Sequence, residues 1–213
     1  FNLLTGVYEP SEGKIELNVD GAIKEIGGMK PYAVTRMGLA RTFQNIRLFK
    51  NLTALDNVKI AMHNNIKYGT LQAILRTPNY YREEERVEQQ AEELLKVVHL
   101  YDKRNELASN LPYGEQRRLE IARALATKPK VLFLDEPAAG MNPQETADLT
   151  RLIHQIKDDF HLTVILIEHD MSLVMTICER IYVLDYGKCI ANGVPEVIKN
   201  DKRVIKAYLG EDI

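Results

Sequence analysis

Val131-Leu132-Phe133-Leu134-Asp135-Glu136-Pro137 decides the fold: four apolar residues in a row bury a strand, and two adjacent carboxylates then emerge at its end. Further apolar β-type runs follow at Thr163 to Ile167 and Ile181 to Leu184, separated by helical stretches such as Gln144 to Lys157. This alternation predicts an α/β fold. Continuous rather than alternating apolar strands predict burial on both faces, as in a parallel sheet flanked by helices. Ligands of such sheets sit at the C-terminal strand ends. Those ends carry Asp135-Glu136 after the first run and Glu168-His169 after the second, so chemistry is expected there.

Working outward, the 213 residues and 45% hydrophobic content suit one large domain with a real core. With 28 basic against 30 acidic residues the formal charge is -2, so no global basic field draws the chain to nucleic acid or to an anionic membrane. No apolar run approaches the roughly 18 residues of a membrane span, and the opening FNLLTG lacks a signal-peptide pattern, so a cytoplasmic location is expected. Cys178 and Cys189 are too far apart for a CxxC pair and are read as packing residues. Phe1, Leu3 and Leu4 before Thr5-Gly6 read as the last turn of a helix with a glycine stop. Glu9 to Gly13 is a turn, and Lys14 to Val19 alternates as a half-buried strand of a small antiparallel β region. From Asp56 through Leu125 the character is helical, clearest at Val87, Ala91, Leu94, Leu95 and Val98.

Two side-by-side acids are costly without a cation nearby. In a nucleotide site the first, Asp135, can hold Mg²⁺, directly or through water, and the second, Glu136, can orient and deprotonate the attacking water. Upstream, Leu111-Pro112-Tyr113-Gly114-Glu115-Gln116 leads into a strong helix former, whose N-terminal N–H groups suit a phosphate. The order and spacing of these segments resemble the ABC ATPase family, with its P-loop NTPase fold. The resemblance places the signature at Leu111 to Gln116, Walker B at Asp135 and Glu136, the D-loop at Ala139-Gly140-Met141-Asn142, the switch histidine at His169 and the Q-loop at Gln44. It implies that Tyr113, Gly114, Glu115 and Asn142 contact ATP, that Glu136, His169 and Gln44 are catalytic, and that Asp135 and Gln44 serve Mg²⁺. His63, His99, His154 and His161 have no such company and are read as solvated or structural.

Three departures stand out. Pro112 and Tyr113 occupy positions where the signature usually carries Ser-Gly, so phosphate contact is left to backbone N–H groups around Gly114 and to the helix end. The usual D-loop Asp is Asn142, which keeps hydrogen-bonding capacity without charge. No G-x-x-x-x-G-K-[ST] is present, and the expectation is a chain truncated at its N-terminus. The expected organisation is a β region with the Q-loop over 1–49, a helical subdomain over 50–128 and the rest of the catalytic core over 129–213.

ARTFQNIRLFKNLTALDNV at 40–58, the long insertion before Arg82, LPYGEQRRLEIARAL at 111–125, AAGMNP at 138–143 and the ending AYLGED at 207–212 are more specific. They resemble the ATP-binding subunits of branched-chain amino acid importers. That resemblance implies transmembrane permease subunits, a second ATPase subunit arranged head to tail, an extracytoplasmic amino-acid-binding protein acting indirectly, and a peripheral position on the inner face of the membrane. Lipopolysaccharide-exporting relatives share a similar tail and are the alternative. A chromosome or translation ATPase would show long coiled-coil insertions or tandem halves, and neither is present. A non-catalytic binding module would need neither Glu136 nor His169 at strand ends.

Overall fold

The structure is a computed structural model and describes residues 1–19, 21–63 and 68–209. The Gly210, Glu211 and Asp212 portion of the AYLGED ending lies outside the described residues. Two compact units are present, Phe1–Ile165 and Leu166–Ile213.

In the first unit, Thr5 N–H donates to Phe1 O at 3.0 Å and Gly6 takes φ +73°, so a helical turn stops at the glycine. β1 (Glu16–Val19) and β2 (Ala22–Glu25) pair antiparallel, with Glu16 opposite Glu25 and Val19 opposite Ala22. The small β region therefore exists, with its first strand starting two residues later than the alternation suggests. α1 (Pro31–Arg36) takes its proline in the first turn, where no intrahelical N–H is lost. β3 (Leu39–Arg41) then lies parallel to β4 (Val131–Asp135), with Leu39 opposite Val131 and Arg41 opposite Phe133. β5 (Thr163–Ile167) adjoins β4 on its other side. Ile26, Val34, Leu39 and Phe133 form the core beneath this sheet, and the ring of Phe1 meets that of Phe133 edge-on at 4.8 Å. Parallel strands bring the ends of β3 and β4 to one edge of the sheet, and this positions the site.

The helices between β3 and β4 are α2 (Ala54–Ala61), α3 (Thr70–Ile74), α4 (Pro78–Val97) and α5 (Tyr113–Leu125), with α2, α4 and α5 packed together. α4 buries Val87, Ala91, Leu94 and Leu95, the i, i+4, i+7, i+8 stripe of an amphipathic helix. Each large apolar side chain there contributes about 1.5–3 kcal/mol on burial. Asn57 on α2 is fully buried, accepts from Phe49 N–H at 2.9 Å and donates to the Phe49 and Thr53 carbonyls at 3.0 and 2.9 Å, pinning the loop that enters the helices. α6 (Pro143–Asp159) buries Leu149, Leu152, Ile153 and Ile156.

The second unit contains α7 (Met171–Ile177), β6 (Ile181–Asp185), β7 (Lys188–Gly193), α8 (Pro195–Lys199) and α9 (Lys202–Leu209) around Val174, Ile181, Val183, Ala191, Ile198 and Val204. Burial on both faces holds for β4 and not for β5 or β6. Tyr186 and Gly187 both have positive φ, the geometry of a two-residue hairpin turn, so β6 pairs antiparallel with β7. Its outward face consequently carries exposed Tyr182 and Leu184. Among the described residues, no helix is long and apolar enough to cross a membrane.

Candidate functional site

The two acids at the end of β4 meet different partners. Asp135 ends the strand, and Glu136 takes φ +43°, a left-handed conformation rarely adopted by a residue with a side chain. Asp135 Oδ2 receives Arg41 Nη2 at 2.6 Å from the end of β3. Arg41 also donates to Asn2 Oδ1 at 2.7 Å and Thr5 Oγ1 at 3.1 Å, with its guanidinium 5.0 Å from the Phe43 ring centroid. Arg41, a residue the sequence reading did not single out, thus sets a cation beside Asp135. Glu136 Oε2 accepts from Gln44 Nε2 at 2.7 Å, which joins two of the expected catalytic residues directly.

Behind Gln44 lies a second polar cluster that sequence reasoning missed. Arg117 on α5 is fully buried; its Nη1 donates to Phe43 O at 2.6 Å and Glu120 Oε2 at 2.9 Å, and its Nη2 to Gln44 O at 2.8 Å and Tyr113 Oη at 3.2 Å. Glu120 Oε1 accepts from Arg47 N–H at 3.1 Å. Burial pushes the Glu120 carboxyl above its ordinary value, while the Arg47 N–H and the Arg117 charge hold it down. The only signal in the sequence is the i,i+3 Arg–Glu spacing, which usually marks a solvated helix face.

Pro112 is the N-cap of α5 and no side chain caps that helix, so its first N–H groups are open to an acceptor. Tyr113, Gly114 and Glu115 form the first turn; Glu115 is bound by Lys103 Nζ at 2.7 and 2.8 Å, which moderates the negative charge at the helix end. Asn142 is engaged as the N-cap of α6, accepting from Glu145 N–H at 2.9 Å while Glu145 Oε2 accepts from Asn142 N–H at 3.0 Å. A Cβ on Gly114 would lie 2.9 Å from Glu145 Oε1 and one on Gly140 3.8 Å from Tyr113 Cε1, so the start of α5 comes close to the first turn of α6 and to the loop before it. His169 belongs to the second unit, where it precedes Asp170, the N-cap of α7. His63, His99, His154 and His161 are exposed; Cys178 is half-buried and Cys189 exposed, both as free thiols.

Among the described residues, no three His, Cys, Asp or Glu side chains gather as a metal cluster. The oxygen donors of Asp135 and Gln44 are of the kind a hard cation with few protein ligands takes. Gln44 directs its amide nitrogen, not its oxygen, at Glu136.

Residues 1–139 match the family described as ABC transporter, and residues 188–213 match the family described as branched-chain amino acid ATP-binding cassette transporter. The high-affinity branched-chain amino acid transport ATP-binding protein LivG of Escherichia coli K12 is 46% identical over 99% of this chain and 81% of its own length. The lipopolysaccharide export system ATP-binding protein LptB of the same organism is more distant, at 33% over 100% of this chain and 80% of its own. Among solved structures, the ADP conformation of MJ1267, an ATP-binding cassette of an ABC transporter, superposes with a TM-score of 0.79 at 28% identity, covering 99% of this chain and 82% of that one.

Proposed function

Because the chain belongs to the ABC transporter ATPase family, we propose that it is the ATP-hydrolysing subunit of an ABC importer for the branched-chain amino acids leucine, isoleucine and valine. The contact from Gln44 Nε2 to Glu136 Oε2 at the end of β4 carries the hydrolytic reading. Likeness to LivG and the match of residues 188–213 support the substrate class.

Phosphoryl transfer to water asks for positioning and electrostatics more than for covalent chemistry. Glu136 is the general base that takes the proton of the attacking water, and the Gln44 amide fixes the direction of its carboxylate. Asp135 and Gln44 would hold Mg²⁺, which would offset phosphate charge. Tyr113, Gly114 and Glu115 present the uncapped N–H groups of α5 to the γ-phosphate held by a second ATPase subunit, arranged head to tail. Asn142 steadies the loop beside that helix through its capping box, and His169 acts as the switch histidine of the second unit. ATP then joins the two subunits and its hydrolysis releases them, a motion passed to permease subunits on the inner face of the membrane.

The full-length subunit bearing this sequence, reconstituted with its permease, tests this reading. Glu136→Gln is expected to keep ATP binding and to lower turnover at least about a hundredfold, the contribution typical of a general base. Turnover within about threefold of wild type would refute Glu136 as the base. Lack of leucine, isoleucine and valine uptake by the wild-type complex would refute the substrate class.

A further inference from the structure

The geometry points to Arg117 and Glu120 as positioning residues that lock the Gln44 backbone to α5, so that the signature helix sets the Gln44 amide on Glu136. This rests on the hydrolytic reading above. Its support is a continuous chain of contacts within the first unit. Tyr113, at the start of α5, holds Arg117 Nη2 by its hydroxyl at 3.2 Å. One turn later Arg117 donates to two successive carbonyls, Phe43 O at 2.6 Å and Gln44 O at 2.8 Å. The side chain of Gln44 then reaches Glu136 Oε2 at 2.7 Å.

Two features separate this cluster from ordinary packing. The Arg117 and Glu120 side chains are 0% and 3% exposed, and a buried ion pair is stabilised no better than an apolar pair of the same volume would be. Stability alone therefore gives no reason for charges at this place. The planar guanidinium, by contrast, can address two adjacent carbonyls at once and fix the direction of the peptide between them, which an ammonium or an apolar side chain cannot. Glu120 serves both ends: one oxygen orients Arg117 and the other receives the Arg47 N–H three residues beyond Gln44. Residues 43–47 are thereby held from both sides by one helix. A shift of α5 as its N-terminus meets phosphate must carry Gln44 with it, and occupancy of one site is relayed to the base of the other.

The test is Arg117→Met with Glu120→Gln in the full-length subunit assembled with its permease. Glutamine keeps an acceptor for the Arg47 N–H, methionine keeps the volume, and one charge of each sign is removed together, while partly buried Arg123 loses the facing charge of Glu120 and keeps the amide of its replacement nearby. The expected result is a melting temperature within about 5 °C of wild type and an ATP KM within about threefold, with kcat at least about tenfold lower. In a Gln44→Ala background the same pair should change kcat by less than about twofold, because the relay has already lost its end. Equal losses of kcat in both backgrounds, or wild-type kcat in the first, would overturn the proposal. Should the double variant not fold, Arg117→Lys keeps the charge and removes the fork: lower kcat at an unchanged KM supports the relay and wild-type kcat overturns it. Glu136→Gln run in parallel separates the two readings. Near-wild-type turnover there would bring down the site assignment and the relay together, whereas its loss alongside wild-type kcat in the double variant would bring down the relay alone.

Discussion

Replacing Gly114 by Asp sets a carboxylate against two different negative charges, and the structure allows their effects to be separated. A Cβ at Gly114 would lie 2.9 Å from Glu145 Oε1 and 3.4 Å from its Cδ, so Glu145 must swing away. Doing so weakens the bond from Asn142 N–H to Glu145 Oε2, one half of the capping box of α6, worth about 1 kcal/mol. Two carboxylates about 4 Å apart repel by about 1 kcal/mol in water and about 4 kcal/mol at an effective dielectric of about 20. Glu145 is half-buried, so about 2 kcal/mol is appropriate, and the favourable placement of an acid near the start of α5 returns about 0.5 kcal/mol. The net loss of about 2–3 kcal/mol lowers the melting temperature by about 4–12 °C for a chain of this length. Gly114→Ala, with no charge and better helix propensity, should stay within about 1 kcal/mol of wild type. Glu145→Gln added to Gly114→Asp removes the internal repulsion and should recover most of the melting temperature. It should not recover ATP-driven dimerisation, followed by light scattering in the full-length subunit, because the new carboxylate still faces phosphate. A Gly114→Asp, Glu145→Gln variant that melts and dimerises with ATP as wild type does would refute the assignment of this helix end to phosphate.

Gly6→Ala is expected to destabilise the first unit by at least about 2 kcal/mol, read by chemical denaturation, since φ is +73° and the added Cβ would lie 2.2 Å from Met29 O; unchanged stability would refute that geometry. Tyr68 is pushed up to about 12 by its hydrogen bond to Glu84, with burial adding to the rise. A raised folded value means that its contribution is complete below the ordinary tyrosine value of about 10 and is lost as pH climbs through about 12. Carbon-13 tyrosine NMR should show the Tyr68 ring titrating late, and Glu84→Gln should return it towards the ordinary value; a late titration of Tyr68 surviving that change would refute the cause.

β4, β5 and the long helices are legible because their signals are local, whereas β3, only three residues at Leu39–Arg41, is too short a run to read as a strand. Val131 to Leu134 is a buried strand by composition alone, and Val87, Ala91, Leu94 and Leu95 mark the buried stripe of α4 by spacing alone. The pairing partner of a strand is not local, and for that reason the β6–β7 hairpin, decided by positive φ at Tyr186 and Gly187, did not emerge from the apolar run at Ile181 to Leu184. The same division holds in the site. Glu136 and Gln44 could be named from motif position, but their mutual contact spans 92 residues of sequence and only the parallel pairing of β3 with β4 creates it. Arg41 and Arg117 were invisible for a related reason: an arginine in sequence defaults to the surface, and only tertiary packing turns it into the partner of Asp135 or of two main-chain carbonyls.

The departures from the usual signature and D-loop acquire a physical reason from the same contacts. A glycine where Tyr113 stands would leave Arg117 Nη2 without its bond to the tyrosine hydroxyl, so the change that removes flexibility from the helix start also ties that start to the cluster beneath Gln44. Pro112 complements it, since its φ of -54° suits the entrance and its missing N–H is one the helix would not have used. At position 142 an aspartate would put a second full charge beside Glu145, whose carboxylate already accepts from the backbone there and sits against Gly114. Asn142 caps α6 equally well without that charge, and the negative field beside the N-terminus of α5 is kept lower. Tyr113 and Asn142 thus hold the start of α5 from two sides, the first through Arg117 and the second through Glu145.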